Sequence, residues 1–319
     1  AGREIAARHT WSRHAREMLE ILEATAAARI PDPGHSLRSE QRKTLSGAHY
    51  YCWYGQGAGA RHWNDDIRFG GVTDMPRVGY YASCNGDVIL DHFRIAEQMG
   101  LDFLILNLHV NEFGVDPYEL GVIENMFALA GTVATPLKFW VQLCPYNVTT
   151  EGFRSAMEAV RNRFFHEARY LRIESRPVLG LFWSGYWDRD ANWLAFLKEQ
   201  FADCFALAGS LRLYDHQAEY EKTQGLFDAW SLFSPLELCR FEDGPSLWRK
   251  AYEDAAAGRS GLRVFTLSPG YDDRHLRAPE REGNPVRLVP RKDGAVFRTM
   301  MDVALALEKR PDMVIVSTF

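Results

Sequence analysis

Asp312-Met-Val-Ile-Val-Ser-Thr-Phe319 ends the sequence as a short β-rich run with no following helix. Read as the eighth strand of a strand–helix alternation, it decides the fold. Working back from it, similar runs occur at Ala48–Tyr54, Asp102–His109, Leu137–Leu143, Pro177–Trp183, Phe205–Leu213, Phe227–Phe233 and Arg263–Leu267. Amphipathic stretches at about 87–99, 117–130, 150–169, 189–201, 244–257 and 294–308 separate most of them. The fifth connection, about 214–224, is short for a helix. Such alternation predicts parallel strands joined by right-handed crossovers. Eight strands in this span fit an α/β fold of the (β/α)8 TIM-like barrel type, truncated after the eighth strand. In such barrels chemistry sits beyond the C-terminal strand ends, so an active-site loop is expected to start where the sequence stops.

Residues 1–27 read as an N-terminal helix, with Trp11, Ala15, Met18, Leu19 and Leu22 at three- and four-residue spacing. Residues 28–46, with Pro31-Asp-Pro-Gly34 and several serines, read as a linker, and 47–319 as the barrel. The 319 residues are 46% hydrophobic, enough for a full core. A net charge of −5 gives no reason to expect a nucleic-acid partner. No apolar run approaches the roughly 18–20 residues of a membrane span. Five scattered cysteines without a CxxC pair point to a reduced, cytoplasmic setting. Strand one is followed by Gly55-Gln-Gly-Ala-Gly59, but no helix opens there, so a phosphate cradle fails its context test.

Polar and aromatic residues gather at the predicted strand ends. Trp53 and Tyr54 close strand one, with His62 and Trp63 just beyond. Aromatic residues in a barrel strand commonly fill the core. Flat faces beside histidine also suit a sugar ring, whose C–H face stacks while its hydroxyls hydrogen-bond. His109 ends strand two, Tyr146 follows strand three, and Trp183 ends strand four. After strand seven, Pro269-Gly270 turns the chain and presents Tyr271, Asp272, Asp273 and Arg274, either as a rim site or as a turn with a solvated ion pair. His49, His62, His92 and His109 form no recognised metal spacing, and no HExxH or G-x-S-x-G motif occurs. The sequence calls for no metal and no cofactor. Cys144 reads as an inert, partly buried thiol.

In this order, the pieces resemble the glycoside hydrolase family 99-like domains, which include endo-α-mannosidases and WbsX-type proteins of bacterial surface-polysaccharide clusters. The pieces are His49-Tyr-Tyr-Cys-Trp-Tyr-Gly55 with His62-Trp63, Gly79-Tyr-Tyr-Ala-Ser83, Val88–Asp102, Pro145-Tyr146, Pro269-Gly-Tyr-Asp-Asp-Arg274, Arg291-Lys-Asp-Gly294 and Val314–Phe319. The resemblance implies a barrel acting on an oligo- or polysaccharide. It also implies two glutamates three residues apart in the segment following Phe319, one an acid/base and one a base on the sugar 2-hydroxyl, with retention and no enzyme nucleophile. On this reading no catalytic residue lies within the 319, which by themselves would turn over little or no α-mannoside. Cys144 before Pro145, His109 where tryptophan is common, and Phe297 in place of a tyrosine depart from the mannosidase pattern and favour the WbsX-like branch. Ala7–Leu19 resembles the last helix of a GT-B glycosyltransferase, which implies a fused transferase upstream.

Three functions stay open at this stage. The first is a glycan-processing hydrolase or transglycosylase in bacterial cell-surface polysaccharide assembly. Trp53, Tyr54, His62 and Trp63 would line its sugar site, extended by His109, Tyr146 and Trp183 and faced by Tyr271, Asp272 and Arg274. The second is a non-catalytic glycan-binding barrel. The third is another hydrolytic chemistry, using Asp272 or Asp273 with Glu112.

Overall fold

The structure is a computed structural model. It describes residues 44–55, 62–63, 76, 78–182, 191–211, 225–232, 246, 249–250, 252–253, 261–272, 288–289 and 292–317. Eight parallel strands follow one another round a ring: β1 (Leu45–Tyr51), β2 (Phe103–Asn111), β3 (Lys138–Pro145), β4 (Arg176–Leu181), β5 (Phe205–Leu211), β6 (Ala229–Leu232), β7 (Val264–Leu267) and β8 (Met313–Val316). The ladder runs from β6 back to β1, then through β8 to β7, and β6 lies beside β7 to bring the ring near closure. Helices α1 (Gly86–Gln98), α2 (Pro117–Thr132), α3 (Thr150–Phe164), α4 (Ala191–Gln200) and α5 (Ala295–Leu305) occupy five of the connections. The fold is the expected α/β barrel. The segments read as N-terminal helix and linker lie outside the described residues up to position 43.

Helix starts are written locally. Asn85 accepts hydrogen bonds from Asp87 N and Val88 N, and Asp116 accepts from Tyr118 N and Glu119 N with Pro117 behind it. Both satisfy backbone donors that a helix leaves unpaired in its first turn. On α1, Ile89, Phe93 and Ala96 are buried at helical spacing. Phe93 and Phe127 then pack on Phe139 of β3.

That contact fixes which way the strands face. If Phe139 points at the helices, Trp140, Gln142 and Cys144 point into the barrel, because successive side chains alternate. The registers Tyr51↔Asn107, Asn107↔Gln142 and Gln142↔Gly180 carry this assignment from β1 to β4. Glycine is required where Gln142 and Trp140 fill the interior. A Cβ on Gly180 would come 2.4 Å from the Trp140 ring, and one on Gly209 would come 2.2 Å from Gln142 Oε1.

The opposite end of the barrel is tied by one arrangement used three times. Asp102, Asp228 and Asp312 each precede an even-numbered strand. Each donates its own N–H to a carbonyl at the start of the preceding strand: Ser46 O at 2.7 Å, Ala206 O at 2.8 Å and Arg263 O at 3.0 Å. Each carboxylate also accepts the N–H of that same residue, at 2.9 Å in all three cases. Asp228 is 2% exposed and additionally holds Arg176 in a two-pronged ion pair with both N–O distances at 3.0 Å. The same guanidinium donates to Cys204 O and lies over the Phe205 ring, so one group links β4, β5 and β6.

Sequence and structure differ at element ends. β1 starts at Leu45 and stops at Tyr51, displaced from the expected Ala48–Tyr54; Ser46 and Gly47 look loop-like but are required by the Asp102 clasp and by the Phe103 ring, which comes 2.1 Å from a Cβ at Gly47. α3 ends at Phe164, short of the expected residue 169. Beyond it Arg172–Ile173 pairs back on Arg176–Pro177 through a two-residue turn. Both turn residues, Glu174 and Ser175, have positive φ (51° and 65°), the geometry of a tight hairpin. Residues 246, 249–250 and 252–253 are helical, within the expected 244–257.

Breaking the buried clasp should be costly. Asp228→Asn is expected to lower unfolding free energy by about 2–4 kcal/mol, because it removes the buried charge partner of Arg176 and leaves only the exposed Glu174 at 3.4 Å. A urea-unfolding midpoint that barely moves would show that the clasp contributes little.

Candidate functional site

Past Tyr51 the chain leaves the ladder but remains clamped. Tyr54 N donates to Ser83 Oγ (3.1 Å), Ser83 N donates to Tyr54 O (2.8 Å), and Tyr118 O–H donates to Tyr54 O (2.6 Å). This clamp holds Trp53 at the C-terminal rim of the barrel. Four rings gather on its indole: Tyr51 stacked at 4.6 Å, His109 stacked at 5.3 Å, His62 tilted at 4.8 Å and Tyr54 edge-on at 6.1 Å. Trp53 Nε1 is buried and has no hydrogen-bond partner among the described residues.

A second group has a different character. Tyr54 stacks on Trp63 at 4.1 Å, and Tyr80 and Tyr81 meet Trp63 edge-on. Trp63 is only 5% exposed and donates its indole N–H to Tyr81 O at 2.7 Å. It therefore braces the rim from below. Tyr146 stands at the end of β3 with 76% exposure. Trp183 and Arg274 lie outside the described residues, as does Asp273. Tyr271 and Asp272 form a backbone pair with Leu288–Val289.

Glu119 is the group that sequence reading passes over. It sits in the first turn of α2, is 0% exposed, accepts a hydrogen bond from the His109 backbone N at 2.7 Å, and lies 2.9 Å from His109 Nδ1 through Oε1. The strand folds back on itself between the two residues, with Asn111 paired to Gly114 and Asp116 N donating to His109 O. Asp116-Pro-Tyr-Glu119 has the spacing of a helix-start capping box, which is the signal available in sequence. Here the glutamate reaches across to the strand.

Beneath the rim lies a buried polar layer. Gln142 Nε2 donates to Asn107 Oδ1 at 2.9 Å, which turns the Asn107 amide toward Tyr50 O and His49 Nδ1. Gln142 Oε1, Thr266 Oγ1 and Ser317 Oγ are buried without partners among the described residues. The registers Gly47↔Ile315 and Ile315↔Thr266 put Thr266 on the inward parity, and Ser317 continues β8 with its N–H on Leu267 O. Burial pushes the Cys144 thiol up to about 12, with the Glu119 charge adding to it, so this sulfur stays a thiol facing Asn107 Oδ1. Burial also raises Tyr50 and lowers His92, which leaves a neutral pair with the phenol donating to His92 Nδ1. Among the described residues no group of three or more His, Cys, Asp and Glu side chains could hold a metal, and no helix is long and apolar enough to cross a membrane.

The arrangement is an aromatic rim over a polar layer at the C-terminal ends of a (β/α)8 barrel, the end where such barrels carry their sites. The fold is that of the glycoside hydrolase family 99 endo-α-mannosidases. Two structures of the Bacteroides thetaiotaomicron enzyme, one with bis-tris-propane bound, each superpose with a TM-score of 0.65. They share 18% and 17% sequence identity with this chain over 86% of its length and over 83% and 84% of their own. A structure described as a glycoside hydrolase-like protein superposes with a TM-score of 0.55 at 15% identity, over 90% of this chain and 86% of that one. No protein-family model and no curated protein matches the sequence.

Burial lowers His49 to about 4 from 6.5, so the folded protein keeps it neutral. As pH falls from 6.5 toward 4, the unfolded chain takes up a proton that the folded one refuses. The associated stability, on the order of 3 kcal/mol, is present above pH 6.5 and lost across that window. His92 acts in the same direction. Urea midpoints measured from pH 7 to pH 4 should fall steeply in the wild type and less steeply in His49→Gln; equal slopes would contradict this.

Proposed function

We propose that this chain is a glycan-processing barrel of the glycoside hydrolase or transglycosylase type, binding its oligo- or polysaccharide across Trp53. The observation that carries this is the cluster of aromatic rings round Trp53 at the C-terminal end of a barrel whose interior holds buried polar atoms without partners among the described residues. An apolar ring face beside unsatisfied donors and acceptors matches a sugar, which offers C–H on one side and hydroxyls at its edge. Trp53 Nε1 and Gln142 Oε1 supply one donor and one acceptor. The fold shared with endo-α-mannosidases supports a glycosidic substrate. Retaining, endo-acting chemistry through two glutamates is the mechanism that the family resemblance favours.

The wider setting is part of the same proposal. His109 and Cys144, at positions where the mannosidase pattern has other residues, support a WbsX-like role in bacterial cell-surface polysaccharide assembly. Tyr54, His62 and Tyr146 extend the contact surface, and Trp183, Tyr271, Asp272 and Arg274 are its proposed further contacts. A fused glycosyltransferase is supported by residues 7–19, and a cytoplasmic location by free cysteines at Cys52, Cys84, Cys144 and Cys204.

Calorimetry with α-linked manno-oligosaccharides tests the reading. The wild type should bind, and Trp53→Ala should weaken binding about tenfold or more, equivalent to about 1.4 kcal/mol. Trp63→Ala should instead lower thermal stability, since that ring is packed. Absence of heat with manno-oligosaccharides and with fragments of bacterial surface polysaccharide would contradict the proposal.

A further inference from the structure

The pairing of His109 with Glu119 assigns a direction to the one nitrogen of His109 that remains available. His109 ends β2 on the inward parity of Asn107, stacks on Trp53, and keeps 36% side-chain exposure. Its Nε2 makes no hydrogen bond among the described residues. Its Nδ1 lies 2.9 Å from Glu119 Oε1 and 3.2 Å from Oε2. An ionised carboxylate only accepts hydrogen bonds, so the neutral imidazole must carry its proton on Nδ1 and leave Nε2 as a bare acceptor. The backbone N–H of His109, 2.7 Å from Oε2, secures the carboxylate in that orientation.

We propose that Glu119 is a positioning residue that fixes His109 as a hydrogen-bond acceptor at the sugar-stacking rim, selecting a ligand that presents a hydroxyl donor beside the Trp53 face. This deepens the glycan reading and rests on it for the source of the donor. It also adds an acceptor at the end of β2, where an indole could only donate. The rim thereby holds adjacent groups of opposite sense, Trp53 Nε1 donating and His109 Nε2 accepting.

Glu119→Gln separates this role from a merely structural one. A backbone N–H can only donate, so the glutamine carbonyl must face His109 N. Its amide NH2 then faces Nδ1, which becomes the acceptor, and the proton moves to Nε2. The variant therefore converts the rim acceptor into a donor with almost no change of shape.

The experiment is 15N–1H correlation of the histidine rings at pH 9, where an ordinary imidazole is neutral, with His109 assigned from His109→Phe. The wild type should show Nδ1 protonated and Nε2 bare, and Glu119→Gln the reverse. A wild type protonated on Nε2, or a folded Glu119→Gln protein still protonated on Nδ1, overturns the proposal. If the buried substitution prevents folding, the wild-type spectrum alone decides. In a second arm, an α-linked manno-oligosaccharide should move the wild-type Nε2 resonance, and Glu119→Gln should bind it at least about tenfold more weakly. The expected tautomers without any response to manno-oligosaccharide or surface-polysaccharide fragments would uphold the Glu119 lock and overturn the sugar hydroxyl as its target.

Discussion

The alternation of side chains across a nearly closed parallel ladder is the constraint on which the rest of this molecule depends. Phe139 must face the helices because Phe93 and Phe127 pack on it. Once it does, parity commits Trp140, Gln142 and Cys144 to the interior, and the registers commit Asn107 and His49 with them. A slip of one residue would exchange this whole polar set for Leu106, Val141 and their neighbours. The three aspartate clasps guard against that slip. Each binds both backbone groups of a single residue on the adjacent strand, which specifies register at the end of the barrel remote from the rim.

The barrel thus divides its work between its two ends. At one, Asp102, Asp228 and Asp312 satisfy strand-start amides, and Arg176 spreads its guanidinium over three strands. At the other, Trp53 Nε1, Gln142 Oε1, Thr266 Oγ1 and Ser317 Oγ are buried without partners among the described residues, and aromatic rings gather round Trp53. Unpaired buried polar atoms cost stability, which is why their grouping beneath the aromatic rings underlies the proposed binding site. The bracing of Tyr54 by Trp63 and of its carbonyl by Tyr118 gives Trp53 a fixed platform despite its place beyond the end of β1.

Much of this fold is legible in the sequence because buried parallel strands are written as nearly continuous apolar runs, as in Leu101–Leu108 and Leu137–Leu143. What misleads is local chemistry that answers to distant residues. Leu45 and Ser46 read as linker because nothing nearby reveals the Asp102 clasp that draws them into β1. The aromatic run Tyr50–Tyr54 extends the apparent strand beyond Tyr51, where side-chain clamps replace the ladder. Glu174 and Ser175 adopt positive φ without the glycine or asparagine that would announce a tight turn. At the site, Trp53, His62 and His109 were legible as rim aromatics, whereas Glu119 reads as an ordinary first-turn acid. Its role exists only because the Asn111–Gly114 fold-back returns the helix start to His109. Trp63 is packed against Tyr54 with its indole N–H on Tyr81 O, a partnership that the sequence does not announce.

The central claim is that a glycan lies against Trp53, and the indole N–H of that residue reports on it directly. The measurement is a 15N–1H spectrum of the tryptophan indoles, with Trp53 assigned from Trp53→Phe, during titration with an α-linked manno-oligosaccharide and then with surface-polysaccharide fragments. The account predicts that the Trp53 Nε1–H resonance shifts saturably on addition of a glycan ligand while that of Trp63, already bonded to Tyr81 O, stays nearly still. A Trp53 resonance that does not move with any of these glycans would contradict it.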